Sequence, residues 1–302
     1  MTQDATWLED RLEGHGRPVL IDGGMGTELQ KAGVPMHDKV WSGRAVLSDP
    51  NSVRQVHEDF IRAGAEVIIT NTFATARHML EPGGLGEHVE AINTDAVKLA
   101  QQARDNSAER PVAIVGAICE WSFMSESDWN TPEAVGRSVR EQANLLSAAG
   151  VDVLALEMCE RSEFSAVAVE AASETNLPLW IGISAMKHKD ADGLSSFSYS
   201  DRSFDDLVQV LSKYPAMVLN VMHTPVADVD EALRIVRKHW AGPIGVYPDS
   251  GFFMMPNWQF VDVIEPQDLA QAVKRWVDDG VRMVGGCCGL GPEHIAAMRA
   301  AL

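Results

Sequence analysis

Three stretches of the chain share one cadence. Asp49-Pro50 opens a helical pattern with Val53, Val56, Phe60 and Ile61 on one face; Gly64 ends it, and residues 66–70 (EVIIT) read as a buried strand. Thr131-Pro132 opens the next, with Val135, Val139 and Leu146 apolar, Gly150 at its end and 151–156 (VDVLAL) behind it. Glu265-Pro266 opens a third, with Leu269, Val273, Trp276 and Val277, then Gly280 and 281–284 (VRMV). Proline suits the first helical position, where its missing N–H would have no partner. Glycine just past the end takes the left-handed turn that closes a helix. Each unit is an amphipathic helix feeding an apolar strand.

Further apolar runs at 19–22, 111–116, 179–184, 216–220 and 243–247 read as strands. Helical patterns at 87–104, 163–173, 204–213 and 229–239 lie between most of the strands, and 292–302 closes the series. Continuous apolar runs alternating with amphipathic helices mean a parallel sheet covered on both faces. The number of units predicts a closed (β/α)8 TIM barrel, one domain over 1–302, with the first 17 or so residues as a cap. An open doubly wound sheet is the alternative.

Composition narrows the function classes. At 302 residues, 46% hydrophobic and 23% charged, the chain is an ordinary globular protein with enough core to fold unaided. A net charge of −18 argues against a nucleic-acid partner, whose phosphates it would repel. No apolar run approaches the ~20 residues of a membrane span, and no apolar N-terminal segment carries a basic flank, so the expectation is a cytoplasmic protein with no membrane partner. The four cysteines make no disulfide framework, and the adjacent pair among them points to metal or redox chemistry.

In a barrel of this kind the chemistry sits at the C-terminal ends of the strands. Read there, the runs deliver Asp22-Gly23-Gly24-Met25-Gly26-Thr27, Thr70-Asn71-Thr72-Phe73, Cys119-Glu120-Trp121, Glu157-Met158-Cys159-Glu160, Ser184 with Lys187 and His188, Asn220-Val221-Met222-His223, Tyr247-Pro248-Asp249-Ser250-Gly251 and Gly285-Gly286-Cys287-Cys288-Gly289. All four cysteines fall at this face. Cys287-Cys288, flanked by glycines that admit close approach, offers two thiolates to a soft metal such as zinc; two small core residues at a tight strand end is the other reading. The glycines after strand one could cradle an anion or serve only the turn. Asp22 and Glu157 could hold a substrate ammonium. Trp121, Phe123 and Trp129, and Phe252, Phe253 and Trp258 with Met254 and Met255, make two aromatic loops that Trp41 could join. Such faces attract ammonium or sulfonium groups, or serve as a lid or a contact in a homo-oligomer.

Taken together, Asp22 to Thr27, Trp41-Ser42, Thr70 to Phe73, Glu157, Asn220, Tyr247 to Gly251 and Gly285 to Gly289 resemble the homocysteine S-methyltransferase family, in order and over nearly the whole chain. The resemblance implies a (β/α)8 barrel with zinc on three cysteines, two of them matching Cys287 and Cys288. It implies a small-molecule thiol acceptor such as homocysteine, held by Asp22, Gly23 and Glu157, and a sulfonium or ammonium methyl donor facing Trp41, Tyr247 and Trp121. Asn71, Asn220 and Asp249 match positions around the substrates, and methionine biosynthesis is the implied setting.

The chain departs from the family at the third cysteine, directly after the strand-six asparagine, where it has Val221. His223, Asp249 or Cys159 could take that ligand's place, or the metal could be absent. Phe252 and Phe253 stand where the family has an acidic residue, and Met158 where it has threonine. Two other readings compete with zinc-dependent thiol methylation, in which Cys287, Cys288 and Glu157 would be catalytic. One is a metal-free lyase or hydrolase on a phosphate-bearing substrate with Lys187 as base or Schiff-base amine. The other is a non-catalytic binding homologue.

Overall fold

A computed structural model describes residues 6–121, 128–254 and 259–302. Eight parallel strands form one sheet: β1 (Val19–Leu20), β2 (Val67–Ile69), β3 (Ala113–Cys119), β4 (Val153–Cys159), β5 (Leu179–Ile183), β6 (Val218–Pro225), β7 (Ile244–Asp249) and β8 (Met283–Val284). Neighbours follow chain order from β2 to β8, and β8 pairs with β1. An Ile21–Val67 bridge and the bond from Glu66 N–H to the Leu20 carbonyl (2.7 Å) join β1 to β2, which closes the barrel. The open-sheet alternative is thereby set aside.

The helices around it are α1 (Pro50–Ala63), α2 (Val89–Ser107), α3 (Pro132–Ala149), α4 (Ser162–Ser173), α5 (Phe204–Leu211), α6 (Val229–His239), α7 (Pro266–Asp278) and α8 (Pro292–Ala301). The punctuation in the sequence does what it predicts. Thr131 caps α3 by accepting from Ala134 N–H at 3.2 Å, and Gly64 and Gly150 end α1 and α3 in the left-handed conformation. None of the described helices is long and apolar enough to cross a membrane.

Apolar side chains fill two layers. Inside the barrel lie Val19, Val67, Val115, Trp180, Val218, Met222 and Tyr247, with Leu8 and Leu12 of the N-terminal helix Thr6–Leu12 packed among them. Between barrel and helices lie Ile68, Ile114, Leu154, Leu219, Val221 and Val246. The cap expected before the first strand is this helix, and residues 1–5 lie outside the described residues.

The structure lengthens four strands beyond the apolar runs. Cys119, Cys159, His223 and Asp249 are strand residues here, not loop residues. It also adds elements that the hydrophobic pattern did not signal. Ala185–Met186, Ser195–Ser196 and Tyr199–Ser203 form a small antiparallel sheet after β5, and Phe252–Met254 pairs with Gln259–Val261 after β7.

Candidate active site

Strands β6, β7 and β8 bring three metal-ligating side chains together. The loop after β8 is tied to the end of β7: Cys287 N–H donates to the Pro248 carbonyl (2.8 Å), and Ser250 N–H donates to the Cys288 carbonyl (3.1 Å). Gly289 adopts φ 83° with its Cα against the Ser250 carbonyl, where any Cβ would collide. Cys287 Sγ then lies 4.0 Å from Cys288 Sγ and 3.5 Å from His223 Nδ1. One ligand atom from each of the three residues lies within 4.8 Å of the other two. Zn–S bonds of about 2.3 Å and Zn–N bonds of about 2.0–2.1 Å at tetrahedral angles require S···S near ~3.8 Å and S···N near ~3.6 Å. The donor set and its spacing therefore fit one zinc ion with a position left open.

His223 reaches this cluster through a break in strand alternation. Val221 faces the helix layer and Met222 the barrel interior, so regular alternation would send His223 outward. Between the Tyr247–Met222 and Asp249–Pro225 pairs, however, β6 carries one residue more than β7. This bulge and a φ of 41° at His223 re-aim its ring. The ring meets Phe197 at 4.4 Å between centroids. Burial pulls the imidazole down, but Cys287, Asp249 and Glu160 outweigh it and push it up to about 9. Cys288 and burial push the Cys287 thiol up, against the pull of His223.

The other positions weighed for the third ligand lie apart. Val221 is fully buried under the helices. Cys159 also packs in the helix layer, and its thiol is pushed up by burial and by Glu120. Asp249 is buried with Oδ1 unpaired, and its carboxylate lies outside the three-residue cluster. The other such cluster among the described residues, Asp10, Glu13 and His15, is exposed.

A pair of buried acids stands across the mouth. Asp22 accepts from Ile69 N–H at 2.8 Å; burial and the nearby Glu157 raise its pKa well above the usual carboxylate range. Glu157 accepts from the Tyr247 hydroxyl at 3.3 Å and is pushed by burial up to about 7. Two desolvated carboxyls, with Glu157 also holding Asp22 back from ionising, make a receptor for a cation, which relieves both. Gly23 lies against the Leu290 carbonyl, where a side chain would collide. Neither amide atom of Asn220, fully buried beside Gly245, has a hydrogen-bond partner.

The aromatic groups assemble in part. Trp41 stacks on Phe73 (centroids 5.5 Å) and on Trp121 (5.2 Å). Asn71 fixes the turn that carries Trp41, accepting from Ser42 Oγ at 2.7 Å and donating to the Ser42 carbonyl at 2.8 Å. Phe252 and Met254 are exposed. Phe123, Met255, Trp258 and the side chain of Phe253 lie outside the described residues.

Lys187 is not part of this site. Its side chain is 60% exposed, and Nζ sits 3.6 Å from Glu231. The glycines near β8 do not form an open anion cradle either. Gly286 and Gly289 N–H groups already donate to the Asp22 carbonyl and Thr27 Oγ1. Sequence reasoning singled out neither Phe197 nor Glu160. Phe197 comes from the polar insert after β5, and Glu160, read at the end of strand four with Glu157, was given no role there.

A profile described as homocysteine S-methyltransferase matches residues 19–302. The chain belongs to the homocysteine S-methyltransferase family. It is therefore a methyltransferase that acts on sulfur. It is 28% identical to a selenocysteine methyltransferase of Astragalus bisulcatus, over 95% of this chain and 93% of the relative. It is 29% identical to a homocysteine S-methyltransferase of Escherichia coli strain K12, over 93% and 94%. Among solved structures, the metallated form of a homocysteine methyltransferase from E. coli superposes with a TM-score of 0.77 at 25% identity, covering 96% of this chain and 98% of that one.

Proposed function

We propose that this methyltransferase moves a methyl group from a sulfonium or quaternary-ammonium donor to the thiol of homocysteine, or its selenol counterpart, with zinc held by Cys287, Cys288 and His223. The observation that carries the reading is the convergence of those three ligand atoms, with His223 close enough to Glu157 of the buried acid pair to act on its charge. Zinc held there would bind the acceptor sulfur and displace its proton. Asp22 and Glu157 take the acceptor's ammonium, with the Gly23 backbone close against it. Asp249 and Asn220, with buried polar atoms unpaired, take the acceptor's remaining polar groups. The stack around Trp41, with Tyr247, faces the donor's positive charge. The thiolate then attacks the methyl carbon in line. A C–S bond forms as the bond to the onium centre breaks, and the donor leaves neutral. Much of the rate comes from holding the two substrates in line.

The same reading makes residues 1–302 one domain working in the cytoplasm, as a monomer or a homo-oligomer. The test is zinc content and methyl transfer together. Wild type should hold about one zinc per chain and methylate homocysteine from a panel of onium donors. A Cys287→Ser/Cys288→Ser variant should lose both. Wild type that stays metal-free when zinc is supplied would refute the assignment.

A further inference from the structure

The insert after β5 and the end of β4 converge behind His223. Glu160 follows β4 and is 1% exposed. Its carboxylate accepts from Ser198 N–H at 2.7 Å through Oε1, and its carbonyl accepts from Ser196 Oγ at 2.8 Å. The residue between those two anchors is Phe197, the ring packed on His223. The second carboxylate oxygen, Oε2, is buried and has no hydrogen-bond partner. His223 turns Nδ1 toward Cys287, which leaves Nε2 as its only remaining donor.

We infer that Glu160 is the positioning residue of the His223 ligand: it clamps the Ser196–Ser198 turn that seats Phe197 on the imidazole, and its open Oε2 is the acceptor that orients the ring's far nitrogen when Nδ1 holds the metal. An imidazole ligand needs such a partner where a thiolate does not. A ring bound at one nitrogen can rotate and can present the wrong tautomer; an acceptor on the other nitrogen fixes both and makes the ligand more basic. The charge also matters. Two thiolates and a neutral imidazole bring one negative charge fewer to the ion than three thiolates, and a buried carboxylate behind the imidazole returns part of it. A histidine two residues beyond the lost cysteine position thus comes with its own support, built from β4 and the insert.

This inference rests on His223 being a ligand, so the test is a double-mutant cycle on zinc affinity, read by chelator competition on the purified full-length chain. Glu160→Gln keeps the acceptor for Ser198 N–H and removes the charge. It should weaken zinc binding about 10- to 100-fold in the wild-type background and change little once His223→Ala has removed the ligand. With cobalt(II) in place of zinc, the thiolate charge-transfer band should keep its intensity in Glu160→Gln while the ligand-field bands shift. Phe197→Leu, which leaves the carboxylate untouched, should weaken binding in the same background-dependent way by a smaller factor. Unchanged affinity in Glu160→Gln, or the same loss in the His223→Ala background, would overturn the inference while leaving the zinc site standing. If His223→Ala itself costs no affinity, the ligand assignment falls, and this inference with it.

Discussion

Glu157→Gln should stabilise the ligand-free protein above neutral pH while it cripples acceptor binding. Glu157 sits buried at the mouth with its pKa raised by burial from 4.5 to about 7. Below pH 4.5 the carboxyl is protonated folded or unfolded, and it contributes no difference. Between 4.5 and 7 the unfolded chain ionises and the folded one resists, so stability falls as pH rises. Above 7 the full difference is present: a shift of about 2.5 units at about 1.4 kcal/mol each, or about 3 kcal/mol. Glutamine keeps an acceptor for the Tyr247 hydroxyl and removes the ionisation. It also frees Asp22 of a like charge. Urea denaturation of the metal-free protein should therefore show the variant gaining up to about 3 kcal/mol at pH 8, roughly 5 °C in Tm, and under about 0.5 kcal/mol at pH 4.5. In the transferase assay the variant should raise the acceptor KM far more than it lowers kcat. The wild-type kcat/KM should fall below about pH 7, as the carboxyl protonates, and the variant should lose that limb. A variant no more stable than wild type at pH 8, or equally stabilised at pH 4.5, would refute the reasoning.

Val221→Cys should leave zinc affinity unchanged, and should fail to rescue His223→Ala, because position 221 faces the helix layer; chelator competition on both backgrounds checks it. Trp41→Leu should raise the donor KM by roughly 3- to 30-fold with little change for the acceptor, the loss expected of a cation–π face, as initial-rate kinetics with each substrate varied would report. Arg161→Met should cost about 3–5 kcal/mol in chemical denaturation, since it strands the buried Glu120 carboxylate that Arg161 meets at 3.0 Å. Lys187→Ala should alter neither turnover nor stability by more than about 0.5 kcal/mol, given its exposed pairing with Glu231.

The barrel was legible because its signals are local. Proline at the start of α1, α3 and α7, glycine after α1 and α3, and apolar runs between them mark elements that each need only their own few residues. The strand ends were less legible, because hydrophobicity stops where function begins. His223 and Asp249 continue β6 and β7 as polar residues; Asp249 is held by pairing with Pro225 and His223 sits in the unpaired bulge between the Met222 and Pro225 pairs, so neither place is set by a hydrophobic pattern. The polar sheet after β5 gave no periodic signal for the same reason: Ser195 and Ser196 are buried by what covers them.

The third ligand shows why counting along a strand misleads at such a site. In a regular strand, positions 221 and 223 share a face, so a histidine at 223 would inherit whatever direction Val221 has, and Val221 points away from the metal. The extra residue in β6 opposite β7 breaks that inheritance. It exists only in the pairing of two strands some 25 residues apart in the chain, so no window of the sequence contains it. The bulge also explains how the position after Asn220 could become valine without emptying the site. Once the strand is re-aimed at 223, position 221 is free to be core, and β-branched valine, filling the layer under the helices, suits it better than a thiol. Removing the extra residue, by deleting Thr224 for instance, should turn His223 outward and abolish zinc binding with both cysteines intact, and a deletion variant that still holds zinc through His223 would contradict this account of the strand.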